Sequence, residues 1–253
     1  MYNLYKELIF RPLYNGLIGI MNIIPGIDVG LAVVIFTCII KFILFPLSKK
    51  ALLTQVRMKA IEPEANKIRL QYSNNKQEQA LKIMELYKQK GVNPFSSILL
   101  LIIQLPILFA LISVFYKIIP NVQPELLYSS FIQAPHASAT LLGLDLTQKS
   151  FILALITGVI QYFQLKYSVA ARQQQDMAEA TVKSGGKLDP ASQMASSMNT
   201  QMKYILPVVA FASIYWIIPA SFPQAASIIA IYWSVSSLFT LAQELYIKKK
   251  HIG

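Results

Sequence analysis

Charged residues are scarce in this chain of 253 residues. Only 14% of them are Asp, Glu, Lys or Arg, whereas roughly a quarter of the residues of a soluble domain are charged. The single cysteine, Cys38, excludes an intrachain disulfide and a cysteine-based metal site. His136 and His251 are too few and too far apart for a metal site. The predicted spans hold no acidic pair and no histidine, so we expect no enzyme activity, no metal and no cofactor.

The chain is instead rich in apolar residues, which make up 55% of the sequence and give it a positive mean hydropathy of +0.47. Long apolar runs of this kind indicate an integral membrane protein. We predict an all-α polytopic fold built as a single domain, residues 1–253. Its five predicted transmembrane helices cover residues 28–47, 95–119, 151–166, 204–219 and 224–247. Only Ala220–Pro223 separates the last two, which predicts a tight helical hairpin.

The segment 4–24, before the first span, is too polar to cross a membrane. Its residues Leu13, Leu17, Ile20 and Ile24 recur at helical spacing, which favours an amphipathic helix lying in the membrane interface. A helix packed into the bundle is the alternative. The first residues lack the basic start and cleavage site of a signal peptide, so we expect the first span to direct targeting.

Residues 48–92 form the first large polar segment, and they are not predicted to be random coil. Ala80, Ile83, Met84 and Tyr87 share one helical face, and an upstream helix is interrupted at Pro63. A turn at 73–75 would join the two helices into a basic hairpin. The other connections are an outer loop at 120–150, a cytoplasmic loop at 167–203 and a basic tail at 248–253. Residues 171–199 of the cytoplasmic loop are expected to be flexible, with partly helical structure as the alternative.

Basic residues fix the expected orientation. Ten of them lie in 48–92, four in 167–203 and three in the tail, against four on the opposite side. The positive-inside rule then predicts an outside N-terminus and a cytoplasmic C-terminus in the cell membrane. The formal net charge of +11 is compatible with nucleic acid or with anionic lipid. No nucleic-acid motif is present, which disfavours specific nucleic-acid recognition. Anionic lipids are therefore the expected partners of the basic residues. Contact with ribosomal RNA by charge alone stays open.

Lys41 lies inside the first apolar run, where a charge costs at least about 2.5 kcal/mol on insertion scales. Polar side chains on the other spans also fall on helical stripes, so we predict that they face one another around a hydrophilic groove open to the cytoplasm. Two alternatives stay open. Lys41 lies near enough to Leu47 to reach the headgroups, and Ser, Thr and Gln often only join helices to one another. The predicted groove residues are Lys41, Thr37, Gln104, Gln161, Ser234 and Ser237.

Several short segments resemble the YidC/Oxa/Alb3 family of membrane protein insertases, over nearly the whole chain. The strongest is Ile103-Gln104-Leu105-Pro106-Ile107-Leu108-Phe109-Ala110-Leu111; others are Phe45–Lys49, Leu86–Lys88, Val92–Pro94, Met202–Pro207 and Tyr232–Leu238. The resemblance implies a five-helix core around a groove that carries a positive residue, usually arginine, where this chain has Lys41. It also implies the short form of the family, without a large extracytoplasmic domain.

The resemblance leads us to expect an insertase that moves nascent hydrophobic segments into the bilayer without nucleotide hydrolysis. Tyr232 and Trp233 are predicted as weaker substrate contacts, with core packing or interface anchoring as the alternative. The expected partners are nascent membrane proteins, with the ribosome and a Sec-type translocon as further candidates. A small transporter or channel is the main alternative, and an assembly factor for other membrane proteins is the third.

Overall fold

A computed structural model describes residues 2–93, 95–118, 122–128, 138–167, 204–221 and 225–251. These segments are almost entirely helical. The predicted loop 167–203 lies outside the described residues except for Tyr167. Residues 222–223 of the predicted hairpin connection and residue 224 of the predicted fifth span also lie outside them.

The N-terminal helix packs into the bundle. Helix α1 (Tyr2–Tyr5) leads through a π-helical turn (Lys6–Phe10) into α2 (Arg11–Ile23). Tyr14, Leu17 and Ile18 are completely buried, because these positions lie on one helical face that turns toward the following helices. The contacts agree with the alternative of a packed helix. A place in the membrane interface stays a prediction.

A sharp bend separates the next two helices. Helix α3 (Val29–Ile43) ends at Leu44, and α4 (Phe45–Ala60) continues at an angle of 58°. Pro46 lacks a backbone N–H and so cannot donate the helical hydrogen bond to the carbonyl of Phe42. The Ser48 hydroxyl donates to the carbonyls of Leu44 at 2.9 Å and Phe45 at 3.1 Å. The predicted boundary at 47/48 therefore lies inside α4, three residues beyond the bend.

A helical hairpin follows, formed by α5 (Glu62–Gln71) and α6 (Lys76–Gln89). The Asn75 side chain caps α6 by accepting a hydrogen bond from the backbone N–H of Glu78 at 3.2 Å. Pro63 lies in the first turn of α5, where its missing N–H costs nothing. At the surface, the Glu85 carboxylate 3.0 Å from the Lys82 ammonium raises the pKa of that lysine.

The remaining elements complete the bundle. Helix α7 (Phe95–Ile118) precedes a 3₁₀ turn (Pro124–Leu126), and β1 (Thr140–Leu141) pairs antiparallel with β2 (Leu144–Asp145), with Thr140 opposite Asp145. Helix α8 (Phe151–Tyr167) comes next. Helix α9 begins at Tyr204, passes through a π-helical stretch at Ser213–Ile217 and ends with the segment Ile218–Ser221. Helix α10 (Ala226–His251) is the longest.

Helix α10 is the central element, because it packs against both α3 and α8. Ala226 and Ala230 of this helix are completely buried, as is Ala225 just before it, and such small side chains let helices approach closely. The main apolar cluster joins α2, α3, α7 and α10.

Among the described helices, Ala226–Ile247 alone is long and apolar enough to cross a membrane in one straight piece. The bent pair Val29–Ile43 and Phe45–Met58 meets the same criteria when taken together. Three further apolar helices, Ile102–Phe115, Phe151–Tyr167 and Tyr204–Ala220, are shorter. The predicted number of five spans therefore stays a prediction.

Candidate functional site

A cavity of about 120 Å³ lies between the α3–α4 bend, α7 and α10. This volume has room for several water molecules, provided that polar groups are present to bind them. The cavity is lined by Lys41, Leu44, Ser48, Ala51, Leu52, Gln104, Thr240, Gln243 and Glu244. Six of these nine side chains carry a polar group that can bind water, and the other three are apolar.

Lys41 enters the cavity from the last turn of α3. Its ammonium group donates to the Thr240 hydroxyl at 3.4 Å, and that hydroxyl donates onward to the Ser236 carbonyl at 2.8 Å. A cation near the C-terminal end of a helix is favoured by the helix dipole. The fold therefore holds a positive charge on the wall of a polar cavity.

Two further hydrogen bonds fix the other walls of the cavity to α10. The Gln104 amide donates to the Tyr232 hydroxyl at 2.8 Å, which joins α7 to α10. The Gln243 amide donates to the Ser48 hydroxyl at 2.6 Å, which joins α10 to the start of α4. Both bonds are between part-buried side chains, so they position the cavity walls more firmly than exposed contacts would.

A second set of polar residues lies between α8 and α10, and we call it the α8–α10 seam: Thr157, Gln161, Trp233, Ser234 and Ser237. The hydroxyls of Thr157 and Ser234 are 2.8 Å apart. The Gln161 side-chain oxygen accepts from the Trp233 indole and from the Ser237 hydroxyl, each at 3.1 Å. These contacts are interhelical hydrogen bonds of the kind that join membrane helices.

The structure thus separates the six predicted groove residues. Lys41 and Gln104 line the cavity, whereas Gln161, Ser234 and Ser237 belong to the α8–α10 seam. Thr37 is only 1% exposed, and its hydroxyl donates to the Val33 carbonyl of its own helix at 2.7 Å. In this structure Thr37 therefore has no access to the cavity.

Helix α10 connects the two polar sets. Thr240 and Gln243 line the cavity, and Tyr232 is bonded to its Gln104 wall, whereas Ser234 and Ser237 are bonded to α8. The site residues predicted from the sequence do not include Ser48, Gln243 or Glu244, all three of which line the cavity. A polar residue one turn from Thr240 near the end of an apolar helix was the signal for Gln243.

A lysine on the wall of a cavity between apolar helices is typical of a membrane protein that keeps the charge away from lipid. The family model described as 60Kd inner membrane protein matches residues 20–252, and the chain belongs to this family, the YidC/Oxa/Alb3 family. The family assignment confirms the resemblance found in the sequence.

Curated relatives are named membrane protein insertase YidC. Those from Francisella tularensis subsp. novicida (strain U112), subsp. holarctica (strain LVS) and subsp. tularensis (strain SCHU S4 / Schu 4) are each 28% identical over 255 residues. The match covers 99% of this chain and 37% of each relative. The chain therefore spans little more than a third of the length of these relatives.

Proposed function

We propose that this chain is a membrane protein insertase that moves hydrophobic nascent segments from the cytoplasm into the bilayer without nucleotide hydrolysis. The observation that carries the proposal is the cavity in which Lys41 and Gln104 meet between α3, α4, α7 and α10. Membership of the family and the name of the relatives support it.

The proposed architecture has five spans at 28–47, 95–119, 151–166, 204–219 and 224–247. The protein lies in the cell membrane, with its N-terminus outside the cell and its C-terminus in the cytoplasm. Two observations support this architecture: the shorter apolar helices pack in the same bundle as α10, and basic residues concentrate between alternate spans. The cavity then lies at the cytoplasmic half of the first and fifth spans, where a nascent chain arrives.

The polar flank of the substrate enters the cavity and exchanges some of its water for Lys41, Gln104 and the hydroxyl groups around them. A charged residue at the centre of a bilayer costs about 2.5–3.5 kcal/mol on insertion scales, so a polar cavity shortens the costly part of the path. Lys41 attracts acidic residues in the flank. The hydrophobic segment meanwhile moves into lipid, and each large apolar side chain contributes about 1.5–3 kcal/mol. Transfer is therefore downhill without a nucleotide.

The groove extends to the α8–α10 seam when α8 moves away from α10. Gln161, Ser234 and Ser237 then exchange their mutual hydrogen bonds for those of the substrate. The buried side-chain oxygen of Gln164, on the same helix, has no hydrogen-bond partner among the described residues, and such an atom is satisfied by entering water. Tyr232 and Trp233 offer rings with one polar edge to the passing segment.

The α5–α6 hairpin is the proposed receiving element on the cytoplasmic side. Residues 48–92 contain ten basic and four acidic side chains, a net charge of +6. This charge favours anionic lipid headgroups and the phosphates of ribosomal RNA, both without sequence recognition. Nascent membrane proteins, the ribosome and a Sec-type translocon are the proposed macromolecular partners.

Reconstitution tests the function directly. The purified full chain in liposomes should insert a short single-span substrate, measured by protease protection, while an entrapped solute is retained. Selective solute flux without insertion would instead establish a transporter or channel. Photocrosslinking from the Ser237 position to a stalled nascent chain separates insertion from assembly work, since an assembly factor would label only mature partners.

Cysteine labelling tests the cavity. In a Cys38→Ser background, Gln104→Cys should react with a membrane-impermeant thiol reagent added from the cytoplasmic side, because Gln104 lines the cavity. Thr37→Cys is the matched control and should stay protected, since Thr37 is 1% exposed. Protection at both positions would contradict a water-filled cavity. Labelling at both positions would show that water reaches further between the helices than the cavity in the structure does.

A further inference from the structure

The C-terminal half of α10 contacts both sides of the bend between α3 and α4. Before the bend, the ring of Phe42 meets the ring of Phe239 edge-on, with 4.9 Å between the ring centroids. Beyond the bend, the Ser48 hydroxyl accepts a hydrogen bond from the Gln243 amide. Phe239 and Gln243 are four residues apart and therefore share one face of α10. This face of α10 holds the bend in place.

The hydrogen bond between Ser48 and Gln243 gives this contact its direction. It is 2.6 Å long, and Gln243 is only 8% exposed, so little water competes for the bond. The Ser48 hydroxyl itself donates to the carbonyl of Leu44, four residues earlier, and such a contact often bends a helix. Ser48 therefore supports the bend, and Gln243 fixes Ser48 against α10.

The same bond closes the gap between α4 and α10 beside the cavity. Helix α4 contributes Ser48, Ala51 and Leu52 to the cavity lining, and α10 contributes Gln243. Helix α4 packs more extensively against α7 than against α10. When the bond breaks, α4 is therefore expected to stay with α7, and the gap between α4 and α10 widens. This gap leads directly into the cavity, because Ser48 and Gln243 both line it.

We propose that Ser48 and Gln243 form a gate between α4 and α10, through which the polar flank of a nascent segment enters the cavity. This inference rests on the proposed function. In the closed gate the two side chains bond each other. In the open gate the Gln243 amide donates to a carbonyl of the flank, and the Ser48 hydroxyl accepts from one of its N–H groups. Every residue except proline offers both groups, so the gate recognises an extended polypeptide backbone whatever side chains the flank carries.

Thiol labelling tests whether the bond keeps the gate closed. In a Cys38→Ser background in bicelles, Ala51→Cys reports on the gate, because Ala51 lines the cavity and is 1% exposed. Gln243→Leu and Ser48→Ala each remove the bond. Each should raise the labelling rate about three- to tenfold, the effect of one interhelical hydrogen bond on an opening equilibrium. Ala32→Cys, at a position 0% exposed in the main apolar cluster, should label at an unchanged rate.

Three further variants make the labelling test specific. Ser48→Thr keeps the hydroxyl and should restore the original rate. The double variant Ser48→Ala with Gln243→Leu should label no faster than the faster single variant, because both changes remove the same bond. Gln148→Leu makes the same chemical change at an exposed site just before α8 and should leave the rate unchanged.

A reducible cross-link tests passage through the gate. In the Cys38→Ser background, Ser48→Cys and Gln243→Cys are joined by a short reducible thiol-reactive linker, and the full chain is reconstituted in liposomes. Insertion of a single-span substrate with a Gln flank, measured by protease protection, should fall severalfold and recover when a reductant cleaves the linker. The same linker between Thr140→Cys and Asp145→Cys joins residues that already face each other across β1 and β2, and it should leave insertion unchanged.

An unchanged labelling rate at Ala51→Cys in both single variants would overturn the inference, as would an equal rise at Ala32→Cys. Normal insertion by the chain cross-linked at the gate would also overturn it. The original chain separates these failures from failure of the proposed function. If the original chain inserts the substrate but the gate variants behave like it, only the gate is wrong. If the original chain does not insert the substrate, the insertase proposal itself is wrong.

Discussion

Replacing Lys41 by leucine should stabilise the fold while impairing its function. The Lys41 ammonium makes a long hydrogen bond of 3.4 Å to Thr240 in a part-buried position. On insertion scales a lysine at a helix centre costs about 2.5–3.5 kcal/mol and a leucine gains about 0.3–0.6 kcal/mol. Lys41 lies in the last turn of α3 beside a cavity, so it keeps part of its water. We therefore expect Lys41→Leu to raise the free energy of unfolding by about 1 kcal/mol, well below the full difference.

Two assays read this prediction. The free energy of unfolding is measured in bicelles by denaturant titration, and insertion of an acidic-flanked substrate is measured in liposomes. Lys41→Arg keeps the charge and is the matched control, which should insert that substrate like the original chain. A leucine variant that is less stable would show that the ammonium stabilises the fold. A leucine variant that inserts acidic flanks normally would reduce Lys41 to a determinant of topology.

Two further predictions concern helix contacts. In a double-mutant cycle, Gln104→Leu and Tyr232→Phe should show a coupling of about 1 kcal/mol in the free energy of unfolding, because the two side chains share a 2.8 Å hydrogen bond. Independent effects of the two substitutions would mean that this bond does not hold α7 to α10. Gly158→Ile should cost about 1–3 kcal/mol, because a Cβ at this position meets the Pro207 carbonyl oxygen at 3.2 Å. Gly19→Ala, with no atom within 4 Å of the added Cβ, should be neutral or stabilising by up to about 1 kcal/mol. Equal losses in the free energy of unfolding at both glycines would contradict the α8–α9 packing.

The sequence predicted the apolar helices better than the bend between α3 and α4. The predicted span 95–119 differs by one residue from α7 (Phe95–Ile118), and 151–166 differs by one residue from α8 (Phe151–Tyr167). Apolar runs and their polar ends are local features, so they can be read directly. The bend at Leu44 also involves Gln243, which lies almost two hundred residues away in the sequence and reaches Ser48 from α10. No local pattern contains that contact.

The candidate site was predictable for Lys41 and Gln104, since a charge and a large amide in apolar runs need polar surroundings. Thr37 shows the limit of the same reasoning. It shares a stripe with Lys41, yet its hydroxyl is satisfied by the Val33 carbonyl four residues earlier. Threonine in a helix has this local option and glutamine and lysine lack it. Helical spacing alone does not distinguish a hydroxyl that faces a groove from one that bonds its own helix.

The two polar faces of α10 suggest how a groove could open at modest cost. Four side-chain hydrogen bonds between described residues hold the α8–α10 seam: Thr157 to Ser234 and to the Ala230 carbonyl, and Gln161 to Trp233 and Ser237. At about 0.6 kcal/mol for an average interhelical hydrogen bond in a membrane, breaking all four costs about 2.4 kcal/mol. A single charged flank residue avoids a penalty of at least about 2.5 kcal/mol when it enters a polar groove rather than hydrocarbon. The penalty avoided by one charged residue of the substrate is therefore enough to offset the cost of opening the seam. An apolar segment without a polar flank avoids no such penalty and does not offset that cost. Under the proposed function, the closed seam and the cavity have successive roles: the cavity would admit the flank, and the flank would then open the rest of the groove.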